Sequence, residues 1–244
     1  LTSSGAVVST SERTGGLIGE STGATVVLTN SSASGTVNSA SYYLGGLIGL
    51  AYGTGYSDIS ASGVVTQTGG EQVGGLIGQF SATTLLRGSA TGNVVATSSG
   101  SNVGGLIGYS NGTSITSSSA TGNVTANGGN NVGGLVGRMD TTGVVKNAFA
   151  TGAVSADANY GGLVGFMTPG ASLVNAHYNI DAVSITGFTP ASPSTRVAVT
   201  GLITTGGLFG TQYTDWFTPA LDGLAITDTA KLVSYFGAVD GNGY

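Results

Sequence analysis

The side chains able to do acid–base or metal chemistry are few in this 244-residue sequence, and they are dispersed. Glycoside cleavage needs two carboxyl groups facing one cleft. The candidates upstream of residue 170 are Glu12, Glu20, Asp58, Glu71, Asp140 and Asp157, each at a different point of the repeating pattern described below. They read as solvated loop residues, with a catalytic pair as the alternative. A lyase also needs basic groups to stabilise an enolate-like charge, and Arg13, Arg87, Arg138, Lys146, Arg196 and Lys231 are the whole supply. His177, the single histidine, adjoins Tyr178 and lies four residues before Asp181. These three read as structural polar residues, with a metal or acid/base role as the alternative. Asp240-Gly241-Asn242-Gly243 sets oxygen donors at alternate positions, as a calcium loop begins; a simple Asx turn accounts for the same residues. Cysteine is absent, which removes disulfides, thiol nucleophiles and cysteine zinc sites. No catalytic, cofactor-binding or metal residue is assigned, no cofactor is implied, and the chain is expected not to be an enzyme.

Composition narrows the partners. A net charge of −5 with so few, scattered basic residues argues against nucleic acid and anionic membranes. No apolar run approaches the roughly 20 residues of a membrane span, so no membrane insertion is expected. Charged residues make up only 7%, yet hydrophobic residues reach 40%, so the chain can build a core. Asn30, Asn111 and Asn123 begin Asn-x-Ser/Thr sequons, as chance alone provides in so Ser/Thr-rich a chain.

What must position these groups is a repeat. Gly-Gly-Leu-(Ile/Val)-Gly begins at Gly15, Gly45, Gly74, Gly104, Gly133 and Gly161, at intervals of 30, 29, 30, 29 and 28 residues. A second marker, Ser-Ala-Thr-Gly-Asn-Val at 89–94 and 119–124, keeps the same beat through Gly35, Gly63, Gly92, Gly122 and Gly152. Between markers lie short apolar or alternating stretches broken by Gly, Asn and Ser, which is strand-and-turn punctuation. No apolar stripe at helical spacing occurs, and Gly-x-Gly never sits in a strand–loop–helix unit that would bind a nucleotide.

The expected fold is all-β: a single-stranded right-handed parallel β-helix, or β-solenoid, with about 29 residues per three-sided coil. One coil cannot bury its own apolar face; stacking does so, each residue sitting above its equivalent. At ~4.8 Å per coil, five to six coils give a rod roughly 25–30 Å long. A β-propeller is the rival, but its blades need about 40 residues. The predicted inward ladders are Leu17, Leu47, Leu76, Leu106, Leu135 and Leu163; Val37, Val65 or Val64, Val94, Val124 and Val154; and Leu28, Leu85, Ile115 and Val145. Residues 1–176 form the repeats, starting mid-repeat, because Thr2–Val7 aligns with Ser119–Val124; further coils or a cap are expected to precede them. Residues 177–244, with Trp216, all prolines after 169 and a delayed copy at Gly206–Gly210, read as a degenerate coil and a capping or connecting segment.

Gly75-Leu76-Ile77-Gly78, Gly105-Leu106-Ile107-Gly108 and Gly134-Leu135-Val136-Gly137, at this interval, resemble the GLUG repeat. That repeat is found in large bacterial surface and secreted proteins, including filamentous-haemagglutinin-like adhesins and some IgA-cleaving metalloproteases. Tyr178-Asn179-Ile180-Asp181 and Gln212-Tyr213-Thr214-Asp215-Trp216 are similar to a segment that follows such repeats. The resemblance implies an extracellular or cell-surface stalk or adhesive segment that attaches to a glycan or protein and adjoins further coils of a longer parent chain. The His-Glu-x-x-His zinc motif of the metalloproteases is absent. The alternative is a carbohydrate-active or ice-binding solenoid. Against ice, the outward positions Thr36, Asn38, Thr66, Asn93, Val95, Asn123, Thr125 and Ser155 are mixed and form no regular threonine grid.

Overall fold

The computed structural model describes residues 1–40, 42–97, 100–157, 160–178 and 195–197. Among them every regular element is a β-strand. The strands form parallel sheets that run the length of the rod. Adjacent coils pair in register at the intervals of the sequence repeat: Val7, Val37, Val65, Val94, Val124 and Val154 are successive partners in one ladder. The solenoid, its parallel stacking and its coil length are therefore as the sequence implies. The choice between Val64 and Val65 is settled too, since Val65 is fully buried and Val64 is 38% exposed.

Each complete coil contributes to four sheets rather than the three expected. In the coil from Thr84, a first-sheet strand Thr84–Ala90 is followed by Val94–Ala96 in the second sheet, Ser101–Gly104 in the third and Ile107–Asn111 in the fourth. The apolar run from Val103 to Tyr109 reads as a single strand because no Asn, Asp, Ser or Pro interrupts it. It is broken at Gly105-Leu106, which make a tight corner. There the carbonyl of Leu135, one coil on, accepts from the amides of both Leu106 and Ile107 at 2.9 and 3.0 Å. The same double bond recurs at Leu47, Leu76 and Leu163, so the leucine ladder is tied by backbone as well as by side chains. Leu47, Leu76, Leu106, Leu135 and Leu163 are wholly buried, and Leu17 in the first coil is half-buried.

Space, and not backbone conformation, demands glycine at the corner. Gly105 has no left-handed φ, but a Cβ there would lie 2.0 Å from the Gly134 carbonyl oxygen and 3.0 Å from the Ala120 Cβ. That contact also explains a ladder of alanines. Ala33, Ala61, Ala90, Ala120 and Ala150 are register partners down the first sheet, each small enough to face a corner glycine across the core. In the incomplete coil that follows the sixth, the partner of Ala150 is Tyr178, whose ring packs on Gly162. An aromatic thus closes the described stack where a small residue had continued it.

The left-handed residues lie elsewhere. Asn30, Asp58, Arg87, Ser117 and Asn147 take φ between 49° and 56° at one position of successive first-sheet strands. Asn and Asp tolerate this region, whereas Arg87 and Ser117 carry a strain cost. The kink leaves that residue outside the ladder and brings the third residue along, not the second, back to the core. Leu85 and Gly88 both face inward, as do Tyr56 and Ile59. Tyr56 occupies the third ladder between Leu28 and Leu85, its ring edge-on to Phe80 with centroids 5.6 Å apart. Its hydroxyl donates to the Tyr52 carbonyl at 2.5 Å and contacts the Ser21 hydroxyl, so the buried phenol is satisfied.

At the far end, Thr195–Val197 pairs antiparallel with Val164–Met167 and breaks the parallel series. The remainder of the expected capping segment, including Asp181, Trp216, the Gly206–Gly210 copy and Asp240–Asn242, lies outside the described residues.

Candidate interaction surface

Two exterior surfaces of this rod differ sharply in chemistry. Outside the second sheet, burial alternates strictly along each strand, so every second side chain faces solvent. One outward column is Ser4, Ser34, Ser62, Thr91, Thr121 and Thr151. The central column runs Val8, Asn38, Thr66, Val95, Thr125 and Ser155, opposite the buried valines. This face is uncharged through its centre, and its central column is as mixed as the sequence reading holds. Asn93 and Asn123 stitch it, each side-chain oxygen accepting at 2.9 Å from the backbone amide of Asn123 and of Ala153, one coil on.

The second surface is the seam where the third and fourth sheets approach each other. The fourth-sheet glycines make it narrow. A Cβ on Gly78 would lie 2.6 Å from Leu44 N and 3.0 Å from the Gln72 carbonyl oxygen, and one on Gly108 would lie 2.5 Å from Val73 N. Alongside those glycines runs the fourth-sheet column Glu20, Leu50, Gln79, Tyr109, Arg138 and Phe166. The third sheet supplies Arg13, Tyr43 and Gln72, then Asn102 and Asn131 next to the paired Val103 and Val132. The two sides touch in the first described coil, where Arg13 Nη1 lies 3.2 Å from Glu20 Oε2 and the guanidinium sits 6.0 Å from the Tyr43 ring centroid. Farther along, Arg138 stacks between Tyr109 and Phe166, at 6.0 and 4.9 Å from their centroids. Arg138 Nε and Nη2 each donate to Asp140 at 3.0 Å, and the Tyr109 hydroxyl donates to Asp140 Oδ2 at 3.0 Å. Burial, with the Asp140 carboxylate second, pushes the Tyr109 hydroxyl above its ordinary pKa and keeps it a donor.

The carboxylates singled out in the sequence do not converge. Glu20 and Asp140 share the fourth sheet but stand four coils apart, roughly 19 Å at the usual strand spacing. Asp58 lies on the first sheet, held by Arg87 in a bidentate pair at 2.6 and 2.8 Å. Asp157 caps a loop by accepting from Gly128 N at 2.6 Å. Glu12 and Glu71 are exposed loop residues. His177 and Tyr178 are both buried, at 6% and 7% exposure, in register with Phe149 and Ala150. They are packing residues of the incomplete coil that follows the sixth, and Asp181 lies outside the described residues. Among the described residues no group of His, Asp and Glu has metal-binding geometry, and no helix is long and apolar enough to cross a membrane.

The Asp58–Arg87 pair carries a pH signature. The hydrogen bonds from Arg87 hold the Asp58 carboxyl below its ordinary pKa. A depressed carboxyl stabilises the fold above the unfolded carboxyl range, and this stabilisation is lost as pH falls through the folded value. The pair is half-buried at the surface, so its contribution is at most about 1 kcal/mol. Asp58→Asn should narrow the difference between thermal midpoints at neutral and acidic pH, measured by circular dichroism; an unchanged difference would show the pair to be inert.

Sequence reasoning missed the seam, because it followed the apolar ladders and looked for reactive pairs. Its signal was nevertheless present: Arg, Tyr, Gln and Glu recur at fixed offsets from the Gly-Gly-Leu corner in a chain otherwise built from small residues. No curated protein and no solved structure matches this chain. The family description "The GLUG motif" matches residues 99–125 and 128–155, which are successive turns of the solenoid around Leu106 and Leu135. The chain carries GLUG repeats, and here they are the coils of a parallel β-solenoid.

Proposed function

We propose that this chain is a rigid adhesive segment of a secreted or surface-anchored bacterial protein, without enzymatic activity of its own. The observation that carries the reading is how the polar side chains are used. Glu20, Asp58, Asp140 and Asp157 each engage a nearby arginine or backbone amide, and their spacing offers no common reacting centre. What repeats from coil to coil is shape, together with outward columns of hydrogen-bonding groups, and these suit attachment over an extended surface. The GLUG motif supports the same reading, since it recurs in large exoproteins of adhesin type.

The test is attachment. Beads coated with the full chain are expected to bind saturably to at least one of a bacterial cell layer, a host-cell layer, an extracellular-matrix protein or a glycan array. Binding no greater than that of beads carrying heat-unfolded chain would remove the adhesive half of the proposal. Turnover of a polysaccharide by the purified chain would remove the other half.

A further inference from the structure

We infer that Asn127 is a latent deamidation site, kept intact by the Asp157 carboxylate of the next coil. Asparagine is a thermolabile residue, and it is most vulnerable where the following backbone nitrogen can reach its carboxamide carbon. Glycine in that following position has no side chain to obstruct the approach and moves freely in φ. Among the described residues this pair occurs at Asn111-Gly112 and Asn127-Gly128. Asn111 ends the strand Ile107–Asn111 in register with Asp140, and the Gly112 amide donates to the Asp140 carbonyl at 3.2 Å. Closing a ring on Asn111 would turn the chain out of that ladder. Asn127 instead lies in the exposed turn just past the strand Val124–Ala126, and Gly128, also exposed, has a φ of 70°. Its attacking nitrogen is held by a side chain: Gly128 N donates to Asp157 Oδ2 at 2.6 Å, a contact between coils. That bond fixes the peptide plane, and its negative charge opposes loss of the amide proton that must precede attack.

When the contact opens, the Gly128 nitrogen gives its proton to hydroxide and bonds to Asn127 Cγ. The Cγ–Nδ2 bond breaks, and the nitrogen leaves as ammonia after taking a proton from water. Water then opens the succinimide at either carbonyl, giving aspartate or isoaspartate. Isoaspartate lengthens the backbone by one carbon at the corner between the second and third sheets. Val124 and Val132, buried on either side of that corner, can no longer both keep register, and a new carboxylate stands beside Asp157. Modified chains are therefore expected to melt earlier than intact ones.

The experiment is a time course of the full chain in mildly alkaline buffer, with deamidation at Asn127 and Asn111 followed by peptide mapping and mass spectrometry. Parent and Asp157→Ala are compared, each native and in concentrated guanidinium chloride. In denaturant both asparagines should deamidate readily in both chains. In the native parent both should be slow. Native Asp157→Ala should deamidate at Asn127 about tenfold faster than the parent, as the loss of one charge-assisted hydrogen bond implies, while Asn111 keeps its parental rate. A thermal midpoint checks that the variant folds; should it fail to, Asp157→Asn, which keeps an acceptor without the charge, decides by the same acceleration at Asn127. An Asn127 that stays intact in denaturant, that deamidates as fast in the native parent as in denaturant, or that is no faster in the folded variant would overturn the inference. So would equal acceleration at Asn111, which would reflect general loosening of the rod.

Discussion

Gly105→Ala is expected to destabilise the solenoid by about 3 kcal/mol or more, beyond the usual range for overpacking. The added Cβ would meet the Gly134 carbonyl oxygen at 2.0 Å, far inside any van der Waals contact. Neither partner is a flexible side chain, so relief requires one coil to lift from the next. That movement breaks the paired bonds from Leu106 and Ile107 to the Leu135 carbonyl. The matched control is Gly55→Ala, whose new methyl would find only Thr84 Oγ1, at 3.6 Å. That variant should stay within about 0.5 kcal/mol of the parent, as substitutions away from special sites do. Urea titration followed by circular dichroism compares the two directly. Equal midpoints would mean that the coils are not stacked as closely as described.

The second large effect is expected at the centre of the leucine ladder. Leu106 is fully buried, with Leu76 and Leu135 as its neighbours in adjacent coils. Truncation to alanine removes several methyl and methylene contacts and leaves a cavity that the rigid backbone cannot close. The expected loss is about 2–5 kcal/mol. Leu17→Ala should cost clearly less, because Leu17 is only half-buried at the first described coil. A gradient of this kind is a property of stacked repeats, in which each unit is stabilised by its neighbours. If both substitutions shift the denaturation midpoint equally, the ladder model is wrong.

How much of this was legible beforehand depended on the kind of contact. The leucine and valine ladders were readable because identical apolar residues at one period can only be stacked. Four strands were read as three because glycine in a corner looks the same as glycine within a tightly packed strand. The alanine ladder was invisible for a related reason: Ala120 is conspicuous only once Gly105 is known to face it. The left-handed column was hidden by its variety. Asn30 and Asn147 suggest it, whereas Asp58, Arg87 and Ser117 do not. Gln67 is the opposite case, a polar side chain that its chemistry sends outward although period two from Val65 sends it inward. It lies wholly inside, in the ladder above Ala96 and Ala126, and its amide makes no hydrogen bond among the described residues. The candidate carboxylates were correctly read as dispersed, since their phases within the repeat already differed. The seam became visible only when the corner folded the third and fourth sheets together.

The corner also governs how the rod bears load. Its inter-coil hydrogen bonds point along the long axis, so tension between the two ends falls on one ring of bonds at a time. A ring that yields frees about 29 residues, the interval between Val65 and Val94, and so roughly 100 Å of slack at the reach of an extended chain. The rings beneath remain intact and ready to yield in turn. Mechanically, a stack of near-identical turns is a series of small sacrificial links, and it dissipates a tug by paying out thread without letting go at either end.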